Sequence, residues 1–243
     1  MSKFRNLSDD TKKKIIFAIS LVLIVLIIVV FYFRKQYDNY NFIKSNKNNY
    51  LVYTIKSTKS GIYSKNIPYI NIKTDVGKAI NKNINSFIKD YKDNKECTIS
   101  YEYDINGELL SLVIKIVNYD TDFAPTVYFR SYNYDLKNDT LIDDMKLLEL
   151  FNIDESRVES ILEAKFEKYY EDILDLEYYD EKECNYDCFL KYREIDNYLD
   201  NVVYYVNNGK LIAYRPFIFY SIYGEEEYFK EDNFKFVVAK KES

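Results

Sequence analysis

The chain has 243 residues, of which 47% are hydrophobic, and a formal net charge of −5 at pH 7. It contains no histidine, which removes the commonest general base and the commonest zinc ligand. It carries no phosphate loop, dinucleotide fingerprint or nucleophile elbow, so we expect no cofactor and no catalytic constellation. Beyond the N-terminal segment no basic face stands out that could neutralise phosphates, so we expect no nucleic-acid partner.

Residues 15–33 form an uninterrupted apolar run in which Ser20 is the one clearly polar side chain. A helix rises about 1.5 Å per residue, so this run just spans a hydrocarbon core of about 30 Å. A secretory signal peptide has a shorter apolar region that ends in small residues at a cleavage site, and neither feature is present. A buried helix of this length would rarely lack a polar face. The run therefore predicts a retained membrane anchor, or signal-anchor.

The charges flanking this run predict its orientation. Lys12–Lys14 stand directly before it on a short tail, and Arg34 and Lys35 follow it. The positive-inside rule favours residues 1–14 in the cytoplasm, by a small margin of charge. A polar stalk over residues 34–49 would then lead to a domain outside the membrane. We expect a single-pass protein of the cell membrane whose C-terminal domain is extracytoplasmic.

The exported part reads as an α+β domain in two halves, residues 50–137 and 138–243. Alternating apolar residues predict strands, and Asn106-Gly107 predicts a type I′ hairpin turn between two of them. We expect an antiparallel meander with one face packed and the other wet, covered by two or three helices. The predicted strands are 50–56, 67–73, 98–105, 109–117, 126–136, 140–142, 202–206, 210–214, 217–223 and 234–239. The helices are expected to begin at Thr74 or Asp75, at Asp143 or Asp144, and at Asp154.

Short motifs in both halves resemble one bacterial family. They are IPxIN at 67–71, AINKNIxxFI at 79–88 with the NG hairpin, YNYDLK at 132–137 with LLxLF at 147–151, and NGKLIxY at 208–214 with Pro216 and Tyr223-Gly224. These motifs are similar to the paired extracytoplasmic domains of unknown function in lysozyme-sensing anti-sigma factors. The same pair precedes the catalytic domain of some peptidoglycan deacetylases.

The resemblance implies an α+β fold and a location in the bacterial cell envelope. Family members commonly carry a Gly-Gly-Ala-His segment before the third strand, and here residues 121–126 read Thr-Asp-Phe-Ala-Pro-Thr. The tail at residues 1–14 leaves no room for a sigma-binding segment, so the known activities of relatives are not carried over.

The second half is acidic, with 20 acidic and 7 basic residues between Asp139 and Asp200. Five glutamates follow one another at four-residue steps on the helix predicted after Asp154. Like charges at this spacing disfavour a helix by a few tenths of a kcal/mol per pair. One hypothesis is a surface for a cationic partner, and the other is an ordinary solvated helix face. The glutamates of this stripe are Glu155, Glu159, Glu163, Glu167 and Glu171.

Three cysteines leave one without an intramolecular partner. Cys184 and Cys188 are close enough along the chain for a local disulfide outside the membrane. Two thiolates without histidine or further cysteines are a poor zinc set, so we expect no metal there. Cys97 heads a predicted strand, where a buried thiol acts as a small hydrophobe.

Taken together, the residues favour a non-enzymatic, membrane-anchored binding or sensing domain at the cell envelope. Its expected partners are the membrane, through one span, and a cationic envelope protein or peptidoglycan. Two other classes stay open at this point. One is a cell-wall-modifying hydrolase that uses a carboxylate pair, and the other is a structural subunit of a membrane complex.

Overall fold

The computed structural model describes residues 9–45, 51–119, 125–174, 185–192, 195–216 and 235–240. Within these ranges the helices are α1 (Asp9–Ser45), α2 (Asp75–Phe87), α3 (Asp144–Leu150), α4 (Glu155–Leu174) and α5 (Tyr186–Tyr192). The strands are β1 (Val52–Ser60), β2 (Tyr63–Ile70), β3 (Cys97–Asn106), β4 (Leu109–Asn118), β5 (Thr126–Asp135), β6 (Thr140–Ile142), β7 (Val203–Asn207), β8 (Lys210–Tyr214) and β9 (Lys235–Lys240).

Helix α1 contains the predicted anchor and extends beyond it. Its segment Asp10–Phe33 is long and apolar enough to cross a membrane, with a mean hydropathy of 3.4, and none of it is buried in the protein. A core helix of a soluble domain would be covered by the rest of the chain, so that alternative is removed. The helix runs on to Ser45, so most of the predicted stalk is helical and spans about 18 Å beyond Phe33.

The first sheet has six strands in the order β1-β2-β3-β4-β5-β6. Every neighbouring pair is antiparallel except β2 and β3, which are parallel. The predicted α+β meander is therefore confirmed from β3 to β6, while the parallel pair was not expected. The predicted type I′ turn is wrong. Gly107 and Glu108 join the strands, and of these Gly107 alone has a positive φ, at 64°, which is typical of a type II′ turn.

Strand β4 is buried on both of its faces. Leu110, Leu112 and Ile114 belong to one hydrophobic core, and Val113 and Val117 belong to a second core on the opposite face. The expectation of one wet face is wrong at this strand, because the second half of the chain covers the side that the first half leaves open. Its near-continuous apolar sequence, LLSLVIKIV, agrees with two-sided burial.

The core between α2 and the first sheet is held by a capped helix. Thr74 accepts a hydrogen bond from Gly77 N through its side chain at 3.1 Å, which confirms the predicted N-cap. Ile80 and Ile84 face the sheet and are 1% exposed, whereas the neighbouring Ala79 is exposed.

Asn81 of α2 bonds the backbone of Ile70 at the end of β2. Its Nδ2 donates to the Ile70 carbonyl at 2.8 Å, and its Oδ1 accepts from the Ile70 N–H at 2.9 Å. The side-chain amide thus supplies the two bonds that a neighbouring strand would otherwise make. Within the described residues the registered β2–β3 pairing is confined to Lys65 and Ile99. β2 and β3 are therefore paired through their backbones near one end and are not registered as paired toward the other.

The second half forms a smaller antiparallel sheet in the order β7-β8-β9. Val158, Leu162 and Phe166 on one face of α4 are at most 1% exposed and join its core. Asp154 starts this helix as predicted, since its carboxylate accepts from Arg157 N at 2.9 Å. The predicted strand at 217–223 lies outside the described residues, and the one at 234–239 is β9.

A buried polar chain joins the two sheets. The Ser111 hydroxyl of β4 donates to Asn133 Oδ1 of β5 at 2.6 Å and accepts from Val206 N at 2.8 Å. Asn133 Nδ2 donates to the Tyr204 carbonyl at 3.0 Å. The Val206 N–H and the Tyr204 carbonyl both point away from β8. In an antiparallel pair only every second residue of β7 exchanges backbone hydrogen bonds with β8, and Tyr204 and Val206 are not among those residues. The side chains of Ser111 and Asn133 in the first sheet therefore supply hydrogen-bond partners to the edge of β7 that does not pair with β8.

Arg215, at the end of β8, is a buried cation without a bonded carboxylate among the described residues. Its guanidinium donates to the carbonyl oxygens of Tyr198 at 3.2 Å, of Asn197 at 3.0 Å, and of Pro216. Burial lowers the pKa of Arg215, while the charge of Asp200 opposes that shift. These bonds tie the segment before β7 to the exit of β8.

The expected number of packed helices, two or three, is too low. Beside α1, the described residues contain four helices, and the additional one is α5. Its seven residues are too few for a clear periodic signal, but Asn185 caps it by accepting from Cys188 N at 3.0 Å. An asparagine followed by Tyr186, Phe189 and Leu190 at three- to four-residue spacing is the signal that could have found it.

Asn81→Ala tests the strand-like role of the Asn81 amide. The change leaves a buried N–H and a buried carbonyl of Ile70 without partners, so we expect the free energy of unfolding to fall by about 3 kcal/mol. Chemical denaturation of the full chain in detergent, followed by circular dichroism, measures it. Asn85→Ala is the matched control, because Asn85 lies exposed on the same helix and its loss should change stability by under about 0.5 kcal/mol. Equal effects of the two changes would contradict the assignment.

The raised pKa of Tyr132 predicts that the protein loses stability in alkali. Burial raises its pKa from the ordinary 10.0 to about 12, although the charge of Arg130 acts in the other direction. The folded state therefore keeps this proton at a pH where the unfolded chain has released it. The free energy of unfolding should fall as the pH rises from about 10 to about 12, and Tyr132→Phe should flatten that fall. Denaturant titrations across this range measure both slopes, and an unchanged slope in the variant would refute the prediction.

Candidate binding cleft

An open cleft of about 610 Å³ lies where the backbone pairing between β2 and β3 stops. Strands β1 and β2 form one wall, consecutive residues of β3 form the other, and β7 closes the inner end. The lining residues are Thr54, Asn66, Ser100, Tyr101, Glu102, Tyr103, Tyr205 and Asn207. The cleft therefore brings together residues from both halves of the chain.

Two tyrosines of β3, Tyr101 and Tyr103, are among the residues that line this cleft. Tyr101 and Tyr103 are two residues apart and lie on the same face of the strand. Their ring centroids are 6.5 Å apart and the ring planes differ by 25°. The Tyr101 hydroxyl shares a hydrogen bond of 2.8 Å with Thr54 Oγ1, which fixes that ring across the gap to β1. Tyr103 is 43% exposed.

Glu102 is the one acidic residue among the eight that line the cleft, and its charge is matched. Lys235 Nζ lies 3.3 Å from Glu102 Oε2 and 5.7 Å from the centroid of the Tyr214 ring. The Tyr214 hydroxyl donates to Glu102 Oε1 at 3.5 Å. A strand of the first sheet is thereby linked to β8 and β9, and the cleft is close to neutral.

Tyr205 carries a hydroxyl that has no hydrogen-bond partner among the residues that the structure describes. The residue is fully buried at the inner end of the cleft, and among the described residues its OH is the one buried side-chain polar atom left unbonded. Burial raises the pKa of Tyr205 well above the ordinary value, and the charges of Glu102 and Asp104 add to the shift. The hydroxyl is therefore neutral over the physiological range and can both donate and accept.

The chemistry available in this cleft is hydrogen bonding and ring stacking. Glycoside hydrolysis by the usual route needs two carboxyl groups about 5–10 Å apart. The lining supplies one, and it is already engaged by Lys235. No group of three or more cysteine, aspartate or glutamate residues with metal-ligand geometry occurs in the described part of the chain. The arrangement suits recognition of a neutral polar ligand.

The predicted glutamate stripe lies on the outer face of α4. All five of its glutamates are exposed, and they follow the stripe of buried residues Val158, Leu162 and Phe166 along one of its sides. Their side chains make no ion pair with any residue that the structure describes. Tyr186 of α5 lies beside the stripe, since the charges of Glu163 and Glu167 contribute to raising its pKa after burial and Tyr198. The stripe and the cleft involve different elements.

The predicted disulfide lies partly outside the described residues. Cys188, on α5, is disulfide-bonded. Cys184 falls outside the described ranges, so its pairing with Cys188 stays a prediction. Cys97 is free and fully buried in the first core, as expected for a small hydrophobe.

The cleft residues were not singled out by their sequence. Alternating tyrosines on a strand are common in packed sheets, and nothing local distinguishes Tyr101 and Tyr103 from that case. The signal that could have found them is Pro68 in β2, which cannot donate to a ladder and marks a strand whose pairing is incomplete.

Comparison with known proteins adds no assignment. No protein-family model matches the chain, and no curated protein sequence matches it.

Tyr205→Phe should stabilise the protein. The change removes a buried hydroxyl that has no hydrogen-bond partner in the described part of the chain, so we expect the free energy of unfolding to rise by about 1 kcal/mol. Tyr204→Phe, the neighbouring tyrosine on the opposite face of β7, is the control and should not stabilise. Denaturant unfolding of both variants compares them. A loss of stability in Tyr205→Phe would show that the hydroxyl has a partner in solution.

Proposed function

We propose that the chain is a single-pass membrane protein that presents a binding or sensing domain at the bacterial cell envelope, outside the membrane. The observation that carries the proposal is α1, whose apolar segment Asp10–Phe33 has no part buried against the domain. An unburied apolar helix of this length is stable in a bilayer and exposed to aggregation in water. The three lysines at 12–14 favour the orientation with the tail inside.

The folded part supports binding rather than chemistry. The cleft offers neutral hydrogen-bonding groups and two stacked rings, and its single carboxylate is paired. The partners that this proposal names are a component of the cell wall, such as peptidoglycan, and a cationic envelope protein. The stalk-like end of α1, up to Ser45, would hold the domain off the bilayer surface.

Protease digestion of intact cells tests the location. If the domain is outside, added protease should remove the part after α1 in intact cells, while a cytoplasmic marker survives. The intact mass of the mature protein should include Asp10–Phe33, because the helix is an anchor and not a cleaved signal. Protection of the domain until the membrane is permeabilised, or a mature chain that begins after Phe33, would overturn the proposal.

The glutamate stripe is the surface that we propose for a cationic partner. Its five exposed carboxylates follow one face of α4 for about 24 Å, the rise of the 16 residues from Glu155 to Glu171. A continuous row of one charge raises the local concentration of oppositely charged partners at low ionic strength.

Charge reversal tests the stripe. The variant Glu159→Lys, Glu163→Lys, Glu167→Lys should weaken binding of a basic protein such as lysozyme at least tenfold at low salt, measured with the full chain in detergent. The matched control reverses three exposed acids near the end of α2, Asp90, Asp93 and Glu96, and has the same net charge. Equal binding by the two variants, or no binding by the unaltered chain at low salt, would remove the stripe from the proposal.

A further inference from the structure

We propose that the end of the β1–β2 hairpin docks on the surface of the bilayer, with Ile62 in the headgroup region and with Lys56 and Lys59 against anionic lipid headgroups. The inference deepens the proposed function, because it rests on α1 being the membrane anchor. It does not depend on the side of the membrane that the domain occupies.

Ile62 is the most exposed large hydrophobic residue in the described part of the chain, at 77%. It is the second residue of the two-residue turn that joins Ser60 of β1 to Tyr63 of β2. Gly61, the first residue, has a φ of 61°, which is typical of a type II′ turn. Such turns favour small polar residues, so the protein itself gives no reason for an isoleucine there. An apolar side chain at this place is stabilised when the turn leaves water.

The hairpin that carries Ile62 is basic throughout. Residues 52–70 contain three lysines and no acidic residue. Lys56 and Lys59 are exposed on β1, and because they are three positions apart in a strand, their side chains leave from opposite faces. A hairpin that meets a lipid surface end-on would therefore have an exposed cation on each of its faces.

The segment beside the hairpin leaves this positive charge in place. Lys65 of β2 ties the hairpin to the turns after α2, because its Nζ donates to the carbonyl oxygens of Lys92, at 3.0 Å, and of Asn94. Residues 89–96 contain three lysines and three acidic residues, so they add no net charge. The positive end is thus a local feature of a chain whose net charge is −5.

Protection of a sheet edge explains only part of this arrangement. β1 is an edge strand of the first sheet, and it carries a bulge at Ile55. Bulges and lysines keep such an edge from pairing with other chains, which accounts for Lys56 and Lys59. It does not account for Ile62, because an exposed isoleucine favours association. An anionic lipid surface accounts for both, since its headgroups attract lysines and the adjoining acyl region accepts an apolar side chain.

The anchor makes the bilayer the occupant of this surface. α1 rises about 18 Å from Phe33 to Ser45, and β1 spans about 26 Å from Val52 to Ser60. A β1 that runs back toward the membrane would therefore bring Ile62 to the headgroups. Because α1 holds every copy of the domain near lipid, the effective concentration of the surface is high. One apolar side chain and two lysines then suffice, whereas a soluble partner would need a much larger interface.

A single introduced tryptophan tests the docking, because the chain has none of its own. Ile62→Trp changes an exposed turn residue, so the fold is kept. The full chain is reconstituted in nanodiscs of phosphatidylglycerol and phosphatidylcholine in equal parts. We expect the emission of Ile62→Trp to lie at a shorter wavelength than that of tryptophan in water, and brominated lipid to quench it. Leu141→Trp, at a leucine 52% exposed on the opposite edge strand β6, is the matched control and should show neither effect.

Charge reversal in the Ile62→Trp chain tests the lysines. Each lysine near an anionic surface favours docking about fivefold, so Lys56→Glu with Lys59→Glu should lower the docking equilibrium at least tenfold, read as a loss of quenching. The control is Lys210→Glu with Lys240→Glu, which reverses two exposed lysines that pair in register on β8 and β9. It has the same net charge and should leave the quenching unchanged. Discs of phosphatidylcholine alone should give weaker quenching than the anionic discs.

Three results would overturn the inference. These are water-like emission of Ile62→Trp in anionic discs, equal quenching of Ile62→Trp and Leu141→Trp, and equal effects of the two lysine reversals. Co-elution of the chain with the discs separates this inference from the proposed anchor. A chain that co-elutes while Ile62→Trp stays in water refutes the docking alone, and a chain that does not enter the discs refutes the anchor and the docking with it.

Discussion

The structure depends on the buried polar chain that joins its two sheets. β7 has one edge paired with β8 and another edge that would present backbone groups to an apolar core. Ser111 and Asn133 bond that second edge at Val206 N and the Tyr204 carbonyl. Without them the two groups would be buried and unbonded, which disfavours the folded state by about 1–3 kcal/mol for each group. The chain Val206–Ser111–Asn133–Tyr204 therefore fixes the register at which the second half docks on the first.

The docking of the second half on the first also determines where the cleft lies. Tyr205 lies between the two bonded residues of β7 and its side chain points to the other side of that strand, toward Glu102. Asp104 of β3 holds the end of β7 by accepting from Asn208 N at 2.7 Å. The inner end of the cleft is thus built by the same contact that joins the halves. At the end of β2, the Asn81 amide bonds the backbone N–H and carbonyl of Ile70, so these two groups are not available to a neighbouring strand.

Local sequence patterns predicted most of the helices and strands, whereas the contacts between these elements were harder to predict. The long apolar helix, the capped starts of α2, α3 and α4, and the meander from β3 to β6 follow from periodicity, caps and turn residues. The burial of β4 on both faces depends on the second half returning over it, which no local pattern encodes. Asn81, Ser111 and Asn133 looked like ordinary polar residues in their elements, and their role comes from partners up to 95 residues away.

The cleft could not be predicted, for the same reason. Thr54, Tyr101 and Tyr205 come from three separate strands and meet because β2 is only partly paired. The glutamate stripe, in contrast, is a feature of one helix, and its exposure follows from the apolar spacing of Val158, Leu162 and Phe166. The residues on one face of a helix can be read from the sequence of that helix alone, whereas the residues that line a cleft depend on how the two sheets are arranged.

Hydrogen exchange at the Val206 amide tests the central claim most directly. This N–H donates to Ser111 Oγ at 2.8 Å within the core, and not to the backbone of another strand. The account predicts that it exchanges as slowly as the amides of β4, because both are released only when the two halves come apart and the whole domain unfolds. Fast exchange at Val206 beside protected β4 amides would show that β7 has a loose edge and that Ser111 and Asn133 do not join the sheets.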